Sequence, residues 1–140
     1  GFVGAVVSVN SELIDKLLDI GITPAFCAIT HDGKGQLLNT NADTIACELA
    51  IGLSKSYKVT LNYCFEKPGV LIDVANDDSV VREINTSKYS ELLEDKIIAD
   101  GMLPKLENCF YALKGGVNKV QLGKPEMLQN TNTNFTTLRL

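Results

Sequence analysis

Apolar and polar positions along this chain fall into alternating blocks of helical and strand period. Leu13 with Leu17 and Ile14 with Leu18 recur four residues apart, behind Asn10 and ahead of Gly21. This spacing predicts an amphipathic helix over 11–20, capped by the asparagine and closed by a glycine free to turn left-handed. Residues 22–30 are almost continuously apolar, as in a strand covered on both faces, and Asp32-Gly33 with Gly35 predicts a hairpin into 36–40. Behind Asn41, the residues Ala42, Ala46, Leu49, Ala50 and Leu53 form a second helical stripe. Strands are predicted at 58–64 and 69–74, joined by Glu66-Lys67-Pro68, and a shorter helix at 87–95. Leu103, Leu106, Phe110 and Leu113 mark a third helical stripe, with Pro104 in its first turn and Gly115-Gly116 behind it. A strand at 117–122, a polar loop at 129–134 and an extended end at 135–140 complete the chain.

Strands alternating with helices at this spacing predict one α/β domain, a mainly parallel sheet sandwiched by helices, with ligands at the carboxyl ends of the strands. The 140 residues suffice for one core, and 45% hydrophobic with 21% charged residues is the balance of a folded, soluble protein. A net charge of −4 and an isoelectric point near 4.9 argue against a nucleic-acid partner, which would select a basic face. The apolar runs are too short to span a bilayer and no signal-peptide pattern opens the chain, so a cytoplasmic protein without a membrane partner is expected. Cys27, Cys47, Cys64 and Cys109 form no CxxC pair, and His31 is the single histidine. Free thiols are expected, and no protein metal site.

Two loops carry residues suited to chemistry. Asn39-Thr40-Asn41-Ala42-Asp43 leads from a strand into a helix, so carboxamides and a carboxylate meet the positive helix end. They could hold a polar ligand, or Asn41 could simply cap the helix while Asp43 complements its dipole, worth together roughly 1–2 kcal/mol. Asp100-Gly101-Met102-Leu103-Pro104-Lys105 puts a cation in a first helical turn, where it opposes the dipole by roughly 0.3–1 kcal/mol. A phosphate between them would reverse that penalty; a solvated surface lysine is the plain alternative. No GxxxxGK[ST] loop and no GxGxxG fingerprint is present.

Taken in order, GFVG, SVNSELIDKLLDIGITPAF, DGKGQLLNTNAD, PGVLIDV, IIADGMLPKLENCFYAL and FTTLRL resemble the N-acetylglutamate kinases of the amino-acid kinase superfamily. The resemblance covers nearly the whole chain, and its most specific parts are NxNAD and GMxxK in this order and separation. It implies the C-terminal, nucleotide-binding half of the amino-acid kinase fold. The implied reaction transfers the ATP γ-phosphoryl group to the side-chain carboxylate of an N-acyl-L-glutamate, in arginine biosynthesis, with magnesium carried by the nucleotide. By the same resemblance Lys105 stabilises the transferring phosphoryl group, Asp43 organises the catalytic lysines, and Asn39 and Asn41 contact the acylglutamate. Nucleotide contacts are implied for Glu66, Lys67, Pro68, Gly69, Val70 and Leu71, and for Ile97, Ile98, Ala99, Gly101 and Met102. Glu66 stands where the family usually has an aspartate.

The family's other catalytic lysine, its glycine-rich phosphate loops and its substrate arginine have no counterpart here. The substrate and dimerisation half is therefore expected to lie outside this chain, which alone is expected to be inactive and inclined to self-associate, its complete parent being homo-oligomeric. Two other readings stand beside this one. One is a superfamily member acting on carbamate, glutamate or aspartate, and the other is a noncatalytic nucleotide-binding or regulatory module.

Overall fold

The computed structural model describes residues 1–98, 101–130 and 132–140. Helix α1 (Ser11–Asp19) opens on Asn10, whose side chain accepts the Leu13 amide. It closes on Gly21 at φ +80°, where the Gly21 and Ile22 amides return to the Leu18 and Leu17 carbonyls. Strands β1 (Ile29–His31) and β2 (Leu37–Asn39) make the expected hairpin, an antiparallel two-stranded sheet of its own. The apolar run before it is not a buried strand: Ile22 is 47% exposed and Phe26 55%. The pattern at 22–30 reports a segment that is apolar enough to be covered, yet among the described residues no strand pairs with its first part.

Helix α2 (Ala42–Leu53) leads into β3 (Thr60–Cys64); β4 (Glu83–Ile84), α3 (Thr86–Glu94) and α4 (Leu103–Lys114) follow. Strand β5 (Lys119–Gly123), a 3-10 turn at Pro125–Leu128 and β6 (Thr136–Leu138) end the chain. The expected strand at 69–74 is instead a loop, tied by a single bridge between Leu71 and Val80 and by the Val81 amide on the Val70 carbonyl. The second sheet runs β3-β5-β6-β4, with β3/β5 and β4/β6 parallel and β5/β6 antiparallel.

Alternation along β3 separates the two faces of this sheet. Leu61 and Tyr63 are buried with Val120, Leu122 and Leu138 in one core, to which α2 adds Cys47 and Ala50, α3 adds Leu92, and α4 adds Leu106, Cys109 and Phe110. The opposite face carries a polar row, Asn62, Gln121 and Thr137, aligned by the strand register. Within the core, α2 and α4 run parallel: Asp43 meets Lys105, Cys47 meets the Asn108 carbonyl, Glu48 meets Tyr111, and Ile51 lies over Gly115. A Cβ on Gly115 would come within 2.7 Å of Ile51, so the absence of a side chain there lets the helices close. Because α2 returns directly into β3, the first turns of both helices lie at the carboxyl edge of β3 and β5.

Candidate functional site

At that edge Lys105 Nζ donates to Asp43 Oδ2 at 2.6 Å, a pair 62 residues apart in sequence. Their side chains are 22% and 36% exposed, so the pair is partly shielded while remaining within reach of a ligand. Tyr63 joins it from β3: its hydroxyl donates to the Asp43 carbonyl at 2.8 Å, and its ring centroid lies 5.0 Å from the Lys105 ammonium. An ammonium fixed between a carboxylate and an aromatic face is held in one place at little further entropic cost. Two helix N-termini point at the same spot, and Lys105 puts its positive charge there against its own helix dipole. Negative charge from a ligand would relieve that conflict.

Asn41 behaves as a cap, its side-chain oxygen accepting the Thr44 amide at 3.1 Å. Asn39 is exposed at the end of β2 and is bridged through its backbone to the segment at Val3. The intervening Thr40 is buried and shares a 2.7 Å hydrogen bond with Thr30, which fixes how this loop enters α2.

The two segments expected to touch a nucleotide meet in one cleft of about 130 Å³, lined by Lys67, Gly69, Val70, Leu71, Ile97, Ile98, Val74 and Met102. Met102 stands at the N-cap of α4, so the cleft abuts the helix end that bears Lys105. Glu66, Pro68 and Gly101 do not line it, and Ala99 lies outside the described residues. At its rim Lys67 Nζ reaches the Val74 carbonyl at 3.2 Å and Asp77 at 3.5 Å, and Lys124 reaches the same carboxylate at 3.1 Å. The hydrogen bond from Lys124 is the main reason the Asp77 carboxyl sits below its ordinary range. A wider apolar groove of about 340 Å³ lies across α2, between residues 5–10, α1 and Phe26–His31. Its only ionisable lining groups are Cys27 and His31, so the chemistry points to the smaller cleft beside Lys105.

Sequence reasoning overlooked Tyr63, Asp77 and Lys124. Tyr63 was legible as an aromatic on the inward side of a strand end; the other two depend on a loop returning against the end of β5. The buried thiols have their own signature. Burial pushes Cys47 up to about 11 and Cys109 up to about 12, Lys105 opposing the second shift. A thiol whose folded pKa is raised contributes stability that is whole below the unfolded pKa near 9.0 and is lost as pH rises toward the folded value. The unfolding free energy from urea titration should therefore fall between about pH 9 and 11, by up to about 1.4 kcal/mol per pH unit for each thiol. A Cys47→Ala/Cys109→Ala variant, weaker at pH 7, should show a flatter slope; an unchanged slope would assign the alkaline loss to other groups.

Fold and geometry together define an α/β domain with a polar centre at the carboxyl edge of a mostly parallel sheet. The chain belongs to the amino acid kinase family, whose sequence profile matches residues 1–124. It is 50% identical over 120 residues to the acetylglutamate kinase of Bacteroides thetaiotaomicron, covering 86% of this chain and 47% of that protein. It is 48% identical over 128 residues to that of Cytophaga hutchinsonii, covering 91% and 48%. The chain thus spans about half the length of the curated relatives it matches. Among solved structures, smu.665 from Streptococcus mutans has a TM-score of 0.76 at 27% identity, over 99% of this chain and 51% of that one. An N-acetylglutamate synthase from Neisseria gonorrhoeae, complexed with coenzyme A and N-acetyl-glutamate, has a TM-score of 0.82 at 19% identity, over 99% and 32%, a likeness of fold alone. No helix among the described residues is long and apolar enough to cross a membrane.

Proposed function

We propose that this chain forms the nucleotide-binding half of an acylglutamate kinase, with the substrate and dimerisation half lying outside it. The observation that carries the reading is the Lys105–Asp43 pair at two converging helix N-termini, beside the cleft that ends at Met102. ATP would lay its base and sugar along the apolar cleft and direct its phosphates toward Lys105. The acceptor is a carboxylate, already ionised at neutral pH, so no general base is required. A carboxylate oxygen bonds to the γ-phosphorus while the bond to the β–γ bridging oxygen breaks, giving an acyl phosphate and ADP. Lys105 neutralises charge on the equatorial oxygens, and Asp43 with Tyr63 keeps it in place. Magnesium would arrive on the phosphates, whose oxygens are its usual ligands beside such a nucleotide site. Asn39, exposed at the mouth of the loop, is the candidate contact for the acylglutamate.

Calorimetric titration of the chain with magnesium-ATP tests the nucleotide part. Saturable binding is expected, weakened by roughly 10- to 100-fold in Lys105→Ala through loss of a charge-assisted contact, and similarly in Ile98→Asp, which puts a carboxylate in the cleft. Binding indifferent to both variants would remove the assignment. With the complementary half of the Bacteroides relative supplied in trans, hydroxylamine should trap an acyl phosphate from N-acetyl-L-glutamate. Nucleotide binding without that product would favour the noncatalytic module.

A further inference from the structure

The polar face of the larger sheet carries a second charged feature at its opposite edge. Register pairs Thr60 with Lys119 across β3 and β5, and Val120 with Leu138 across β5 and β6, which sets Arg139 beside Lys119. Side chains alternate along strands, so Lys58, Thr60, Lys119 and Arg139 all stand on the face of Asn62, Gln121 and Thr137. With Asn118 they line a pocket of about 440 Å³. Like charges adjacent across a sheet repel, and the chain as a whole carries a net charge of −4, so three cations gathered here call for a cause. None of the three takes part in an ion pair among the described residues. Glu83, on the same face beside Thr137, neither pairs with them nor lines the pocket. The Thr60 hydroxyl and the Asn118 carboxamide add neutral donors.

We infer that this pocket is an anion site for a phosphate group, carried by inorganic phosphate or by a small phosphate monoester. A dianionic phosphate balances most of the local charge, the guanidinium offers paired donors to two of its oxygens, and the ammonium groups close on the others. The pocket lies at the starting ends of β3 and β5, whereas Lys105 lies at their carboxyl ends, so it is separate from the proposed transfer site and independent of that reading. Occupancy would remove the repulsion between neighbouring strands and so stabilise the sheet, coupling phosphate level to the stability of the domain.

The test is an amide-resolved NMR titration of the chain with sodium phosphate, and in a second arm with glycerol 3-phosphate, sodium chloride holding ionic strength constant. Saturable shifts are expected at Thr60, Asn118 and Lys119, retained in Lys105→Ala, with the dissociation constant raised about tenfold in Lys119→Gln and in Arg139→Gln. Tighter binding in the second arm identifies a monoester as the ligand, and equal or weaker binding identifies phosphate itself. Shifts that stay linear in concentration, or that persist unchanged in the Lys119→Gln/Arg139→Gln double variant, would overturn the site. All the substituted positions are exposed or half-buried polar residues, so the fold survives them.

Discussion

On the proposed reading, replacing Lys105 with alanine in the complete protein is expected to lower kinase turnover roughly 100- to 1000-fold, the usual loss when one preorganised charge contact to a transferring group is removed. The physical ground is the holding of the ammonium. It is gripped by Asp43 at 2.6 Å and lies 5.0 Å from the Tyr63 ring centroid, so it needs no reorganisation as charge develops on the phosphoryl oxygens. Lys105→Arg should recover part of the rate, because charge survives while the geometry at Asp43 changes. Steady-state assays of the two variants decide the matter, and a wild-type turnover number in Lys105→Ala would remove the lysine from the mechanism.

Thr136→Val is expected to be the most costly isosteric change for stability. The Thr136 hydroxyl, fully buried, accepts the Val70 amide at 2.8 Å and donates to the Val81 carbonyl at 2.7 Å. It thereby pins both stems of the 69–81 loop to β6. Valine fills the same volume but leaves a buried donor and a buried acceptor without partners, at roughly 1–3 kcal/mol each, so a loss of about 2–6 kcal/mol is expected in urea unfolding. Thr136→Ser, which keeps the hydroxyl, should lose much less. Equal losses in both would mean that the methyl group matters and the hydrogen bonds do not. The same threonine explains Gly69, where a Cβ would come within 2.5 Å of its hydroxyl oxygen. At Gly69 the close backbone approach is to β6 itself.

Local pattern carried much of the architecture. Helices α1, α2 and α4 follow from apolar stripes bounded by Asn10, Asn41 and Pro104, because 3.6-residue periodicity and capping are written in consecutive residues, and the shorter helix expected at 87–95 is α3. Strands β3 and β5 were equally legible from short apolar runs, and β6 lies within the extended end expected at 135–140. Periodicity misled at 22–28, which forms no strand, and at 69–74, which is held by a single bridge between Leu71 and Val80. The short β4 left no signal, since two residues paired with β6 have no periodicity to display.

For the site, the sequence by itself supplied the ingredients: an asparagine-capped helix start with Asp43, a second helix start with a cation out of keeping with its dipole, and two apolar segments flanking a glycine. Only the tertiary structure decided that Asp43 and Lys105 form one pair, that Tyr63 underlies it, and that Lys67, Gly69, Val70 and Leu71 share a cleft with Ile97, Ile98 and Met102. It also decided that Lys58, Lys119 and Arg139 gather with no carboxylate partner among the described residues. The reason is physical. Capping and amphipathic stripes depend on neighbours within a turn of helix, whereas these contacts depend on the parallel packing of α2 on α4 and the order of strands in the sheet, which long-range burial sets.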